Sequence, residues 1–245
     1  MLENVGQGQT IWISPDFLGW QRESYAADPI PPALMERSHE IWNHAKQKLD
    51  TSMGAFDRSE LVTWLNRAVN QRYKVIFKEY NIKAVASRLG IGKGRPPKIL
   101  ARLGVVQPLM LNTLTDLRNS VEHEDADPPA SHRCNELVEL VWYFLRTTDS
   151  LSLSRVYDSE LLSQNPGPEP VGYADLSFCF DPPAIQVDSG SFPVGLVSES
   201  RNEEWAPLKV DIPPRVLSDF VKVSGTLLLK DGALRVWRDY FGRAR

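Results

Sequence analysis

Leu137-Val138-Glu139-Leu140-Val141-Trp142-Tyr143-Phe144-Leu145 carries two apolar stripes side by side. Leu137, Val141 and Phe144 recur at i, i+4 and i+7, and Val138, Trp142 and Leu145 repeat that spacing one residue on. The period is that of an α-helix, and a helix apolar on two adjoining flanks has to be covered on both. Ser131 stands where it can cap the start. The segment therefore predicts the central helix of a helical domain.

Working upstream, Asp125-Ala126-Asp127-Pro128-Pro129 breaks a preceding helix that has Pro108 in its first turn. Met110, Leu114, Leu117 and Val121 form its single apolar stripe. Gly90, Gly92, Gly94, Pro96 and Pro97 mark a loop before it. Asp57 with Glu60 makes a capping-box pattern ahead of Leu61, Leu65, Ala68, Tyr73, Ile76 and Tyr80, which recur at helical spacing. Pro31-Pro32 opens another helix, running to about Leu49, with Leu34, Ile41 and Trp42 as anchors. Residues 32–150 read as an antiparallel helical bundle. Residues 1–31, punctuated by Trp12, Pro15, Trp20, Pro29 and Pro31, read as an irregular arm that packs its tryptophans on the body.

Downstream, Pro166, Pro168 and Pro170 suggest a stiff connector. Leu176, Phe178 and Phe180 alternate with polar residues, as do Leu208, Val210 and Ile212. Asp231-Gly232 between Leu227-Leu228-Leu229 and Leu234-Arg235-Val236-Trp237 is a hairpin signal. Pro213-Pro214 predicts a short helix over about 216–221. The loop Arg201-Asn202-Glu203-Glu204-Trp205 offers Trp205 as a contact or as core. Residues 165–245 read as a small, mainly antiparallel β module. The expected fold class is α+β, a helical bundle followed by that module.

At 245 residues, 42% hydrophobic and 24% charged, the chain can bury a sizeable core. No apolar run approaches the ~18 residues of a membrane span. Met1-Leu2-Glu3-Asn4-Val5 has neither the basic nor the apolar region of an export signal, so the expected location is cytoplasmic. Cys134 and Cys179, 45 residues apart, read as reduced thiols rather than a disulfide or ligands. Gly-x-Ser-x-Gly and His-Glu-x-x-His patterns are absent, and neither a metal nor a cofactor is expected. His39, His44 and His132 read as surface or packing residues.

Charge is unevenly divided. Arg72, Lys74, Lys78, Lys83, Arg88, Lys93, Arg95, Lys98 and Arg102 face one acid, Glu79, giving +8 over residues 72–102 in a chain whose total is −3. Such a segment beside a glycine-rich loop suits a polyphosphate ligand, with a solvated helix face as the plain alternative. Gly90-Ile91-Gly92-Lys93-Gly94-Arg95 lacks the P-loop spacing. Arg72, Lys74, Lys78, Lys93, Arg95 and Lys98 are the candidate RNA-binding residues.

Arg118-Asn119-Ser120-Val121-Glu122-His123 ends the striped helix. An arginine that can hold a phosphate and a histidine that titrates near neutrality suit phosphodiester chemistry. Asn119 and His123 share a helix face, whereas Arg118 and His123 lie about 140° apart. A surface pair of Arg118 with Glu122, and His123 as a C-terminal cap, is the structural alternative. The neighbouring Glu124, Asp125 and Asp127 read as a solvated loop.

Set between the striped helix and the apolar final one, this Arg-Asn-x-x-x-His motif resembles that of the HEPN superfamily (higher eukaryotes and prokaryotes nucleotide-binding). The resemblance covers roughly residues 32–150. It implies a helical bundle that dimerises with the motif at the interface. It further implies a metal-independent endoribonuclease of toxin–antitoxin or anti-phage defence, with Arg118 and His123 catalytic and Asn119 orienting them. The implied partners are RNA, a second copy of the chain, and a protein partner or antitoxin, with no membrane. The alternative is a non-catalytic HEPN-like dimerisation domain whose β module binds a partner protein or nucleic acid.

Overall fold

A computed structural model of the chain describes residues 2–49, 54–92, 94–106, 112–113, 116–117, 119, 127–163, 172–229 and 232–243. In chain order they form β1 (Thr10–Ile13), β2 (Gln21–Pro29), α1 (Pro32–Leu49), α2 (Ala55–Glu79), α3 (Ile82–Arg88), α4 (Pro96–Arg102), α5 (Ser131–Thr147), α6 (Ser150–Leu153), β3 (Ser154–Leu162), β4 (Tyr173–Phe180), β5 (Pro183–Pro193), β6 (Val197–Ser198), β7 (Ala206–Leu217), β8 (Phe220–Leu227) and α7 (Ala233–Arg243). Two units result. One spans residues 1–28, 81–93 and 156–243, and the other residues 29–80, 94–155 and 244–245.

The helical unit is built on α1, α2 and α5. The Asp57 carboxylate accepts the Gly54 N–H at 2.9 Å, so Gly54 is the N-cap of α2 and Asp57 its N3 partner. Leu61, Leu65, Ala68 and Ile76 of α2 are fully buried. On α5 both stripes point inward: Leu137, Val138, Val141, Phe144 and Leu145 are buried, and Trp142 is half-buried. Each such aliphatic side chain contributes about 1.5–3 kcal/mol on burial. The Trp42 indole N–H donates to the Val138 carbonyl at 2.8 Å, tying α1 to α5. Between 107 and 126 the described residues are Asn112, Thr113, Asp116, Leu117 and Asn119, all helical. Met110, Leu114 and Val121 lie outside the described residues.

The β part is not a small C-terminal module. It is one antiparallel eight-stranded sheet in the order β2-β3-β4-β5-β8-β7-β1-β6, and it corrects the expected fold class to a mixed α+β chain with an extensive sheet. The N-terminal segment is woven into it rather than hanging as an arm. Thr10–Ile13 pairs with Lys209–Ala206 of β7 on one side and with β6 on the other. Ile11 and Ile13 have no exposed surface, while Thr10 and Trp12 take the opposite face. Four residues are too short for a strand's alternation to stand out. At the far edge, β2 is largely exposed and lacks an apolar repeat altogether.

Two further expectations fail in this unit. No hairpin follows Gly232: residues 233–243 are helix α7, which buries Val236, Trp237, Tyr240 and Phe241. Their i, i+1, i+4, i+5 spacing is helical, but its second half lies beyond the four residues that looked like a strand. Trp237 packs edge-on against Phe180 at 5.6 Å, and the Tyr240 hydroxyl donates to the Val156 carbonyl at 2.8 Å. Residues 216–221 form no helix either, for β7 runs through Pro213-Pro214 to a tight turn at Ser218-Asp219. Only Ala206–Lys209 of β7 pair with β1, so the prolines fall where β7 has one neighbour and its missing N–H groups cost little. The proline-rich connector and Asp231 lie outside the described residues.

Candidate nucleic-acid interface

Helix α2 turns a basic stripe to solvent. Arg67, Lys74 and Lys78 fall at i, i+7 and i+11, all exposed, on one line along the helix. Trp64 stands at the start of the line with the Arg67 guanidinium 4.4 Å above its ring and His44 packed edge-on at 4.5 Å. Lys78 has its side chain 79% exposed, 3.6 Å from Glu79. In the same unit Arg95 and Lys98, at the start of α4, are exposed, with Arg95 3.6 Å from Asp116. Lys83 and Arg88 are exposed too, but belong to the sheet unit. The basic run of the sequence is thus divided between two bodies. Lys93 lies outside the described residues.

Arg72 does not join the stripe. It has no exposed surface, and it donates to the Leu145 carbonyl at 3.3 Å, the Thr148 hydroxyl at 3.4 Å and Asp149 at 2.9 Å. Asp149 also meets His39 Nε2 at 2.8 Å and Arg146 at 3.4 Å. This network joins α1 and α2 to the segment that follows α5. Burial lowers the Arg72 pKa against the support of Asp149. Burial acts to raise that of Asp149, but hydrogen bonds from His39 and Arg72 outweigh it and hold the carboxyl below its ordinary value. Arg72 is therefore a structural cation, unavailable to a ligand. A helical wheel separates it from Arg67, Lys74 and Lys78, but counting charge along the chain could not. The same wheel would have added Arg67, which the charge count omitted.

The motif residues fare differently. Asn119 is helical and half-buried. Arg118 and His123, with Glu122, Glu124 and Asp125, lie outside the described residues. Among the described residues no group of three or more His, Cys, Asp or Glu is placed to hold a metal ion. The described thiols are free, Cys134 buried and Cys179 exposed.

The outer face of the sheet has the opposite charge. Asp158, Glu160, Asp175 and Asp188, with Ser24 and Tyr25, line an open cavity of about 410 Å³. Asp175 stands directly across from Glu160 in the β3–β4 ladder. Burial first, then the charges of Glu160, Asp158 and Asp188, push its carboxyl above the ordinary range. A phosphate chain is repelled from this acidic cluster.

No family model matches the sequence, and no curated protein or solved structure is significantly similar to it. No helix of the described residues is long and apolar enough to cross a membrane.

Proposed function

We propose that the chain is an RNA-binding endoribonuclease that tracks the RNA backbone along α2 and cuts it with Arg118 and His123. The observation that carries the binding reading is the α2 stripe, in which three exposed cations share one line with an indole at its end. Cations along a helix neutralise successive phosphates of a strand laid along it, and the Arg67 guanidinium over the Trp64 ring offers a base a plane to stack on.

The cutting chemistry rests on the Arg-Asn-x-x-x-His motif. Transesterification of RNA needs one group to take the 2′-OH proton and another to protonate the leaving 5′ oxygen. One histidine cannot serve both ends at once, so two protomers supply two His123 rings to one cleft, with Arg118 stabilising the phosphorane. The products are a 2′,3′-cyclic phosphate and a 5′-hydroxyl. Asn119 orients the pair, and no metal takes part.

The test is cleavage of a single-stranded RNA in EDTA. His123→Ala is expected to lose at least a hundredfold in rate, and equal cleavage by both proteins overturns the site. Binding is tested apart from cutting. Arg67→Gln/Lys74→Gln/Lys78→Gln should lower the slope of log affinity against log salt by about 2, and an unchanged slope removes α2 from the interface.

A further inference from the structure

A second aromatic site lies in the sheet unit. Thr10 and Trp12 leave β1 on the face opposite its core, and across the β1–β7 ladder they meet Lys209 and Pro207. The loop Arg201–Trp205 lies against that patch, because Thr10, Trp12, Arg201, Asn202, Glu203 and Trp205 line one cavity of about 270 Å³. The loop is locally fixed. The Asn202 side-chain oxygen accepts the Glu204 N–H at 3.0 Å, and its carbonyl accepts the Trp205 N–H at 3.2 Å. Gly232, also in the lining, packs closely on the loop backbone, for a Cβ there would come within 2.2 Å of the Trp205 carbonyl oxygen. The loop backbone at Trp205 is therefore fixed before any ligand arrives, which lowers the cost of ordering the site.

The chemistry of the lining selects a class of ligand. The cavity is smaller than the ~300–1,000 Å³ of drug-sized sites, so it takes a single ring system. Two tryptophans stand in the lining. Arg201 and Glu203 stand 3.6 Å apart, so a bare cation meets the guanidinium and a bare anion meets the carboxylate. A neutral ring with donors and acceptors on its edge finds both: Glu203 accepts, Arg201 donates, and Asn202 and Thr10 do either. Lys209, exposed and directly across from Thr10, gives a cation for an attached phosphate.

We propose that Trp12 and Trp205 hold one nucleobase of an unpaired RNA strand, with Lys209 and Arg201 taking the adjoining phosphate. The proposal shares with the proposed function the premise that RNA is the ligand, but it concerns a different unit and stands on different residues. It gives the sheet unit a base-binding role of its own.

The experiment titrates the full chain with AMP and UMP by saturation-transfer NMR and calorimetry, fold being checked by circular dichroism. Wild type is expected to bind with its signal on the base protons. Trp205→Ala should weaken binding about tenfold or more, whereas Trp205→Phe, which keeps a π face, should retain most of it. Should Trp205→Ala unfold, Trp205→Leu keeps the bulk without the ring and is expected to show the same loss. Equal binding by wild type and a folded ringless variant overturns the proposal. So does no binding of either nucleotide by wild type, including the case in which a trimethyllysine peptide binds instead. The α2 triple variant separates the two readings. If it loses RNA while Trp205 changes nothing, only the pocket fails. If nucleotide and RNA binding both need Trp205 while wild type binds RNA without cutting it, the pocket stands and the nuclease reading falls.

Discussion

Asp149 and Asp175 are both half-buried carboxylates, and their surroundings are opposite. Asp149, in the helical unit, has Arg72, His39 and Arg146 around it. Asp175, in the sheet unit, has Glu160, Asp158 and Asp188. Burial acts against ionisation in both, so the neighbours decide the sign. In one place a carboxylate joins helices together, and in the other it stores repulsion on an open face. The difference separates a carboxylate paired with cations from a cluster of like charges whose only described side-chain donors are the Ser24 and Ser177 hydroxyls, on Glu160 and Asp188.

The largest expected effect comes from breaking the paired cluster. Arg72→Met leaves Asp149 without its fully buried partner and should cost about 3–5 kcal/mol, read as a shift of the urea midpoint. A loss below about 1 kcal/mol would show that the network does not hold the helices. Asp149→Asn keeps the shape and removes the charge-assisted bonds, and is expected to cost about 1.5–3 kcal/mol at neutral pH.

The pH dependence sharpens the contrast because the two signs differ. The folded-state pKa of Asp149 is lowered, so its contribution is present above the ordinary carboxylate value and is lost as pH falls through the folded one. Asp149→Asn should flatten the acid limb of stability against pH. Asp175 has a raised folded-state pKa, so its protonated form favours folding at low pH and that advantage is lost as pH rises through the raised value. Asp175→Asn should remove this decline. Denaturant melts between pH 3 and 7 read both, and parallel profiles for the two variants would sink the comparison. The smallest effect is at neutral pH, where Asp175→Asn relieves the carboxylate facing Glu160 and should stabilise by about 0.2–1 kcal/mol.

What could be read from the chain follows the range of the signal. α1, α2 and α5 were legible because their apolar residues keep a helical period over two turns or more and prolines or a capping box stand near each start, although the cap of α5 is Ala130 and not Ser131. Leu234–Trp237 was misread because four residues fit a strand as well as a helix, and Tyr240 and Phe241, which settle the period, were left out. Thr10–Ile13 was missed because a short strand owes its existence to its neighbours, here β7 and β6, nearly 200 residues away in sequence. At the candidate interface, residue type and local density picked out Lys74 and Lys78, which are exposed on α2. The same count included Arg72, whose partner Asp149 lies 77 residues on.

The sequence by itself determined α1, α2 and α5 and the buried stripes of α2 and α5, because periodicity acts within a few turns. The tertiary structure alone decided that the N-terminus completes a sheet, that the C-terminus is a helix, that Arg72 belongs to the core, and that Trp12 and Trp205 line one cavity. Those outcomes depend on residues brought together across the chain, where burial and pairing outweigh what any short stretch prefers.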